Sequence, residues 1–225
     1  MSKLAVIVAG GSGMRMGNEL PKQFLLLDGK PILLHAIDAF LSTFHDINIH
    51  LVLPKQYMDY TRELLNNFGY SSSIQLIEGG ATRFHSVKNG ISHAGQDDII
   101  FVHDAVRCLV SKKLIERCYE KALSTGSAIP VIPIRDSMRR VGMNGTSEVV
   151  SREYLYSVQT PQTFKASILV PAFQVDYMEK FTDEATVVEH AGINIQTVEG
   201  EEQNIKITYP DDLLYAKWRL SIRQD

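Results

Sequence analysis

Cysteine is scarce in this chain, with only Cys108 and Cys118 among 225 residues. No cluster of His and Cys at ligand spacing accompanies them, which excludes a disulfide scaffold and a structural zinc site. Both are expected to be packing residues of a reduced, cytoplasmic protein. No apolar run approaches the ~18 residues that span a bilayer. The start, Met1-Ser2-Lys3, runs into an apolar segment without the charged and hydrophobic regions of a secretory signal. Charge of one sign is also missing: 23 Lys and Arg against 26 Asp and Glu leave a formal charge of -3. Nonspecific nucleic-acid binding therefore has no basis, and any cationic site must be local, built from a few side chains at loop ends. Repeats, low-complexity tracts and linkers are absent from the sequence. One unit over residues 1–225, with no membrane and no nucleic-acid partner, is the expectation.

What is present is an alternation. Leu4 to Val8 reads as a buried strand, Pro31 to Phe44 as a helix with Pro at its first turn, and Asn48 to Leu53 as a strand ended by Pro54. Lys55 to Phe68 is amphipathic and stops at Gly69; Ser73 to Ile77 is a third strand. Thr82 caps a helix through about His93, Asp98 to Val102 is a strand, Ser111 caps a helix to about Leu123, and Ala128 to Ile134 returns as a strand. Such alternation predicts an α/β fold: a Rossmann-like, mostly parallel twisted sheet with helices on both faces. Ligands of such sheets bind beyond the carboxyl ends of the strands. Three chemistry-bearing segments follow strands there: Ala9 to Gly17, Gly79-Gly80 and His103-Asp104.

After Ile134 the pattern changes. Residues 136–158 are polar, with short alternating runs at Met138–Val141 and Ser147–Val150 flanking Asn144-Gly145. Asn-Gly between such runs is a hairpin signal, so a protruding β-arm is predicted. Further on, a helix is expected near Lys165 to Met178, another starting at Thr182-Asp183-Glu184 with Thr182 as cap, a strand at Asn194–Val198, and a closing helix from Pro210 to Ile222.

The first loop, Ala9-Gly-Gly-Ser-Gly-Met-Arg-Met-Gly17, carries Arg15, and Lys22 follows shortly. Glycines let a backbone approach a ligand closely, and cations beside free amides favour a polyphosphate. Familiar nucleotide motifs fail. The spacing misses the dinucleotide fingerprint, and Val52-Leu53-Pro54-Lys55 offers no acidic residue for a ribose hydroxyl. Nor does Lys-Ser or Lys-Thr follow the glycines, as a phosphate-loop NTPase requires.

With these segments stand Pro21-Lys-Gln-Phe24, Gly79-Gly80 with Arg83 and Ser86-Val87, His103-Asp-Ala-Val-Arg107, Arg135-Asp-Ser-Met138, Gln159-Thr-Pro-Gln-Thr-Phe164, Thr182-Asp-Glu-Ala185 and Asn204-Ile-Lys-Ile-Thr208. In this order they resemble the small-alcohol-phosphate cytidylyltransferases, most closely the 2-C-methyl-D-erythritol 4-phosphate cytidylyltransferase family. The resemblance implies transfer of CMP from CTP to a phosphorylated small polyol with loss of pyrophosphate, in non-mevalonate isoprenoid biosynthesis. It implies Arg15, Lys22 and Lys206 as the catalytic set around the CTP phosphates. Ala9, Gly10, Gly80 and Ser86 would read the cytosine, with Gly11 and Gly13 of the same loop in the CTP-binding set. Asp104 and Arg107 would lie near the sugar and the acceptor, Asp104 also near Mg2+, with Thr160 and Thr182 lining the acceptor pocket. It further implies a homodimer through the arm, Ser137 and Arg152 reaching the acceptor bound to the other subunit. The attacking phosphate oxygen is already anionic, so positioning and charge neutralisation suffice and no strong base is needed. His103 is accordingly read as structural.

Three positions depart from that pattern: Cys108 where proline commonly follows the arginine, Ser137 for a threonine, and Val106 for an alanine. Each leaves the charged groups in place. The nearest alternative is ribitol-5-phosphate cytidylyltransferase, the same reaction on another acceptor. Alternatives of other kinds are a nicotinamide-dependent oxidoreductase, disfavoured by the missing acidic residue, and an inactive nucleotide-sensing relative, disfavoured by the intact cations.

Overall fold

A strand of a parallel sheet is covered on both faces and must be apolar at nearly every position. The first strand meets that demand, and the rest of the sheet is laid down around it. The computed structural model describes residues 2–11, 20–70 and 74–222. In chain order it comprises β1 (Lys3–Val8), a two-residue pair β2 (Leu26–Leu27) and β3 (Lys30–Pro31), α1 (Ile32–Thr43), β4 (Ile47–Leu53), α2 (Met58–Asn67), β5 (Ile74–Glu78) and α3 (Arg83–Gly90). There follow β6 (Ile99–Asp104), α4 (Lys112–Thr125), β7 (Ser127–Pro133), the arm strands β8 (Met138–Val141) and β9 (Ser147–Val150), and β10 (Tyr156–Val158). The chain continues through β11 (Gln162–Lys165), α5 (Ala166–Ala172), α6 (Glu184–His190), β12 (Thr197–Glu199) and α7 (Pro210–Ser221).

The main sheet runs β10-β7-β11-β6-β1-β4-β5, with β12 along the other edge of β7. β1 pairs in parallel with β4 on one side and β6 on the other. The chain thus builds outward through β4 and β5, then crosses back to the far side of β1. That reversal is where a crevice opens at the strand ends. β11 runs antiparallel between β6 and β7, so the sheet is mixed at this half.

Alternate residues feed two cores. Ala5 and Ile7 of β1 face α1, α2 and α4 with Ile49, Leu51 and Phe101. Leu4 and Val6 face α3, α5 and α6 with Val52, Ile100 and Val102. Gly90 marks the closest approach: a Cβ there would lie 2.4 Å from Val6 Cγ1. A third cluster joins Leu27, Ile32, Val106, Cys108 and Ile207 beneath α7, and it fixes the segment carrying Lys206. Cys108 and Cys118 are both buried and not disulfide-bonded; burial pushes the Cys118 thiol up to about 12.

Thr82 and Ser111 cap their helices as expected, accepting from the amides of His85 and Leu114. α3 ends at Gly90, a turn before His93. Asp183, not Thr182, caps α6, because its carboxylate forms a capping box with Thr186. The helix expected over Lys165 to Met178 is only α5, and residues 162–165 before it form a strand. Among the described residues the arm strands pair only with each other, and Gly145 takes φ +79° at the turn between them.

Candidate active site

Three loops reach the crevice from the carboxyl ends of β1, β5 and β6. The Ala9 amide donates to the Val52 carbonyl at 2.7 Å, and Gln23 Nε2 donates to the Ala9 carbonyl at 2.7 Å. Gln23 is fully buried in a one-turn 3-10 helix that also delivers Lys22. After β5, the Gly80 amide donates to Ser86 Oγ at 3.1 Å, and that hydroxyl donates to the Thr82 carbonyl at 3.0 Å. A Cβ on Gly80 would stand 2.3 Å from His85 Cβ, so only glycine lets this loop fold back on α3. Together with Gly10, Gly11, Asp104 and Lys206 these residues line a cavity of about 510 Å3. That size is usual for a small-molecule site. A second groove of about 860 Å3 runs beside His35, Lys112 and Arg219 and shares no lining residue with this cavity.

Asp104 closes β6 and is the electrostatic centre. Its Oδ2 lies 3.0 Å from Lys206 Nζ and 3.3 Å from Arg107 Nε, and its Oδ1 lies 3.5 Å from Arg83 Nη2. Burial works to raise this carboxyl, but Arg83, Lys206 and Arg107 outweigh it and hold it well below the usual carboxylate range. Lys22 Nζ donates to the Ile207 carbonyl at 2.7 Å, while the Ile207 amide donates to the Val106 carbonyl at 3.0 Å. Lys22 and Lys206 are thereby gathered on one cavity wall by a segment whose Ile207 is wholly buried.

A smaller cavity of about 210 Å3 adjoins the first, lined by Arg107, Thr160, Gln162, Thr182 and Asp183. Arg83, Asp104 and Lys206 line both. Arg107 donates to the Asn204 carbonyl at 2.8 Å, and Asn204 Nδ2 donates to the Thr160 carbonyl at 2.8 Å. Thr160 is buried, and its Oγ1 accepts the Asp104 amide at 3.0 Å while lying 3.0 Å from His103 Nδ1. Its hydroxyl thus braces the Asp104 turn. Gln23, Gln159, Gln162 and Asn204 are the positioning residues that the motifs contained but the sequence reading did not assign; each is a buried side-chain amide that bonds a backbone group of the site.

His103 is fully enclosed, with Nε2 3.1 Å from the Arg107 carbonyl, and burial pushes its pKa down to about 4 despite the neighbouring Asp104. Between that value and the ordinary ~6.5 the unfolded chain binds a proton that the folded chain does not. Stability therefore rises with pH across this window, by about 3 kcal/mol from this group. The contribution of Asp104 has the same sign in a lower window: it is complete above about pH 4 and lost as the pH falls further. Urea unfolding of the wild type is expected to weaken from pH 7 to 4.5, and that of His103→Gln to weaken less.

The structure brings together Ala9, Gly10, Gly11, Lys22, Gly80, Ser86, Asp104 and Lys206 in the larger cavity, and Asp104, Arg107, Thr160, Thr182 and Lys206 in the smaller. Gly13 and Arg15 lie outside the described residues. Ser137 and Arg152 are exposed on the arm segment and line neither cavity. Among the described residues no group of three or more His, Cys, Asp or Glu is placed to hold a metal ion, and no helix is long and apolar enough to cross a membrane.

Known proteins are similar to this chain over nearly its whole length. The family model of 2-C-methyl-D-erythritol 4-phosphate cytidylyltransferase (IspD) matches residues 3–221. A protein of that name from Bacteroides fragilis is 44% identical over 216 residues, covering 96% of this chain and 98% of its own length. Another, from Porphyromonas gingivalis, is 41% identical and covers 97% of this chain and 98% of its own. The crystal structure of the Francisella tularensis enzyme of the same name superimposes with a TM-score of 0.81 at 31% identity, over 97% of this chain and 100% of that one. The chain belongs to the 2-C-methyl-D-erythritol 4-phosphate cytidylyltransferase family.

Proposed function

We infer that the chain is a transferase that moves CMP from CTP to 2-C-methyl-D-erythritol 4-phosphate, releasing pyrophosphate and 4-diphosphocytidyl-2-C-methyl-D-erythritol for isoprenoid synthesis. The observation that carries the reading is the pair of adjoining cavities whose common wall is cationic around one carboxylate. CTP occupies the larger cavity, its cytosine against Gly10, Gly11, Gly80 and Ser86; both backbone groups of Ala9 already have partners. The acceptor occupies the smaller cavity with its phosphate toward Arg107. An acceptor phosphate oxygen attacks the α-phosphorus, the bond to the β-phosphate oxygen breaks, and pyrophosphate leaves with that electron pair. Arg15, Lys22 and Lys206 neutralise the phosphates, and the rate comes from alignment and fixed charge. Thr160 and His103 hold the Asp104 turn still.

Magnesium fits this site as an ion brought by the substrate. It binds through one or two carboxylates plus phosphates and keeps several waters, and Asp104 is an ionised carboxylate at the junction. When bound, it supplies further charge neutralisation on the triphosphate.

We place the protein in the cytoplasm, in keeping with Cys108 and Cys118 being buried and not disulfide-bonded. We assign it a homodimer built through the arm, residues 136–158 of a single nucleotidyltransferase unit spanning 1–225. Support comes from a two-stranded hairpin that has no partner sheet among the described residues, with Val141, Met143, Val149 and Tyr154 exposed. Such hairpins are marginal alone. Ser137 and Arg152 then serve the acceptor of the partner subunit. A mixed dimer with Lys22→Ala on one subunit and Arg152→Ala on the other would carry both lesions in one site and none in the other. It is expected to recover about half the wild-type activity, as a two-fold interface dictates; no recovery above the two parent homodimers would contradict sharing.

Pyrophosphate release with CTP and each of two acceptors tests the function. Turnover with 2-C-methyl-D-erythritol 4-phosphate well above that with ribitol 5-phosphate is expected, and the reverse preference would overturn the acceptor.

A further inference from the structure

We propose that Arg83 is a further cation of the reaction centre, facing the phosphate that the acceptor brings, and that Glu184 holds it there. The inference rests on the cytidylyl-transfer reading above. In that reaction the attacking oxygen and the α-phosphorus must come within about 3–3.5 Å of each other. They start in adjoining cavities, so they meet at the common wall. Three residues line that wall from both sides: Asp104, Lys206 and Arg83. The first two already have parts in the reaction. Arg83 has the charge and the position, and its pairing with Glu184 fixes both without using all of its donors.

Its side chain is aimed by a fixed partner. Arg83 opens α3, on the same turn as Ser86, and crosses to Glu184 at the start of α6. The Glu184 carboxylate is 1% exposed and takes one N–H from each terminal guanidinium nitrogen. Glu184 is itself immobilised, since Asp183 caps its helix and Gln162 Oε1 accepts the next amide, that of Ala185, at 2.9 Å. A guanidinium carries five N–H donors. Two bind Glu184 and a third makes a long contact of 3.5 Å with Asp104 Oδ1, leaving two for a ligand. Lysine cannot hold such a fork and face a third group at once. The pair also bridges the helix that bears Ser86, on the nucleotide side, to the helix that follows Thr182, on the acceptor side.

A purely structural counter-ion role makes a different prediction. Arg83→Gln alone leaves a buried carboxylate unpaired and is expected to destabilise the fold. Arg83→Gln/Glu184→Gln removes both charges and leaves two amides that hydrogen-bond, so its unfolding midpoint should return toward wild type. If Arg83 faces the phosphate, activity does not return with stability. The double variant keeps kcat/KM for the acceptor about a hundredfold or more below wild type, while CTP affinity measured by calorimetry without acceptor changes little. Arg83→Lys keeps a counter-charge for Glu184, folds, and loses about tenfold or more in acceptor kcat/KM. A double variant that recovers activity together with stability, or a fully active Arg83→Lys, would overturn the inference. Wild-type protein that releases no pyrophosphate from CTP with either acceptor would instead overturn the cytidylyl-transfer reading beneath it.

Discussion

Lys206→Ala is expected to lower kcat/KM by about a hundredfold or more, the usual effect of removing one preorganised donor to developing charge, while leaving the fold nearly unchanged. The side chain of Lys206 is 46% exposed, so little apolar burial is lost. The neighbouring Ile207 is wholly buried and keeps its backbone bond to Val106, which holds the loop in place. Asp104 also retains Arg83 and Arg107 after the change. The loss should fall on kcat, because an ammonium that neutralises charge building on the α-phosphate as the acceptor oxygen attacks acts most strongly in the transition state. Steady-state kinetics with an unfolding curve on the same preparation checks both halves. An unchanged kcat would remove Lys206 from the catalytic set.

Asp104→Asn is expected to damage both stability and activity. The carboxylate is 8% exposed and lies within 3.5 Å of nitrogens from Arg83, Arg107 and Lys206. Neutralising it leaves three cations crowded around an amide. Removing one partner of a buried charge pair commonly costs about 3–5 kcal/mol; the partial exposure of Lys206 places the loss toward the lower end. Activity should fall further than the unfolded fraction explains, because Lys206 and Arg107 are both held beside the cavities by this one group. Urea unfolding and turnover at 25 °C separate the two contributions. A variant as stable as wild type would show that Asp104 is not the centre around which the wall is organised.

The regular elements were legible wherever period and punctuation agreed. β1 and β4 read directly as apolar runs ended by glycine and proline, and Thr82 and Ser111 declared their helix starts. The arm was legible from Asn144-Gly145 between two short alternating runs, which became β8 and β9. The segment after the arm was not. β11 is four residues long, and its Gln162-Thr163-Phe164-Lys165 carries no hydrophobic alternation; tertiary pairing with β6 and β7 makes it a strand. Thr182 and Asp183 both suit a helix start, and only the geometry of Thr186 selects Asp183.

In the site, the charged residues stood in the motifs, but their grouping did not. The sequence left Arg83 without a role because its partners, Glu184 and Asp104, lie 101 and 21 residues away. Thr160 lines the smaller cavity, and its hydroxyl in addition bonds to Asp104 and lies beside His103, a bracing role that its place in the sequence does not announce. Such assignments depend on which way a side chain faces at a strand end, and no one-dimensional pattern encodes that.

A ternary structure with 2-C-methyl-D-erythritol 4-phosphate and a CTP analogue that cannot release pyrophosphate tests the account most directly. The predicted result puts cytosine against Gly80 and Ser86, the acceptor phosphate beside Arg107, and the reacting oxygen about 3–3.5 Å from the α-phosphorus at the wall formed by Arg83, Asp104 and Lys206. Nucleotide bound in the groove beside His35 and Lys112, or an acceptor phosphate outside the cavity of Thr160 and Thr182, would contradict it.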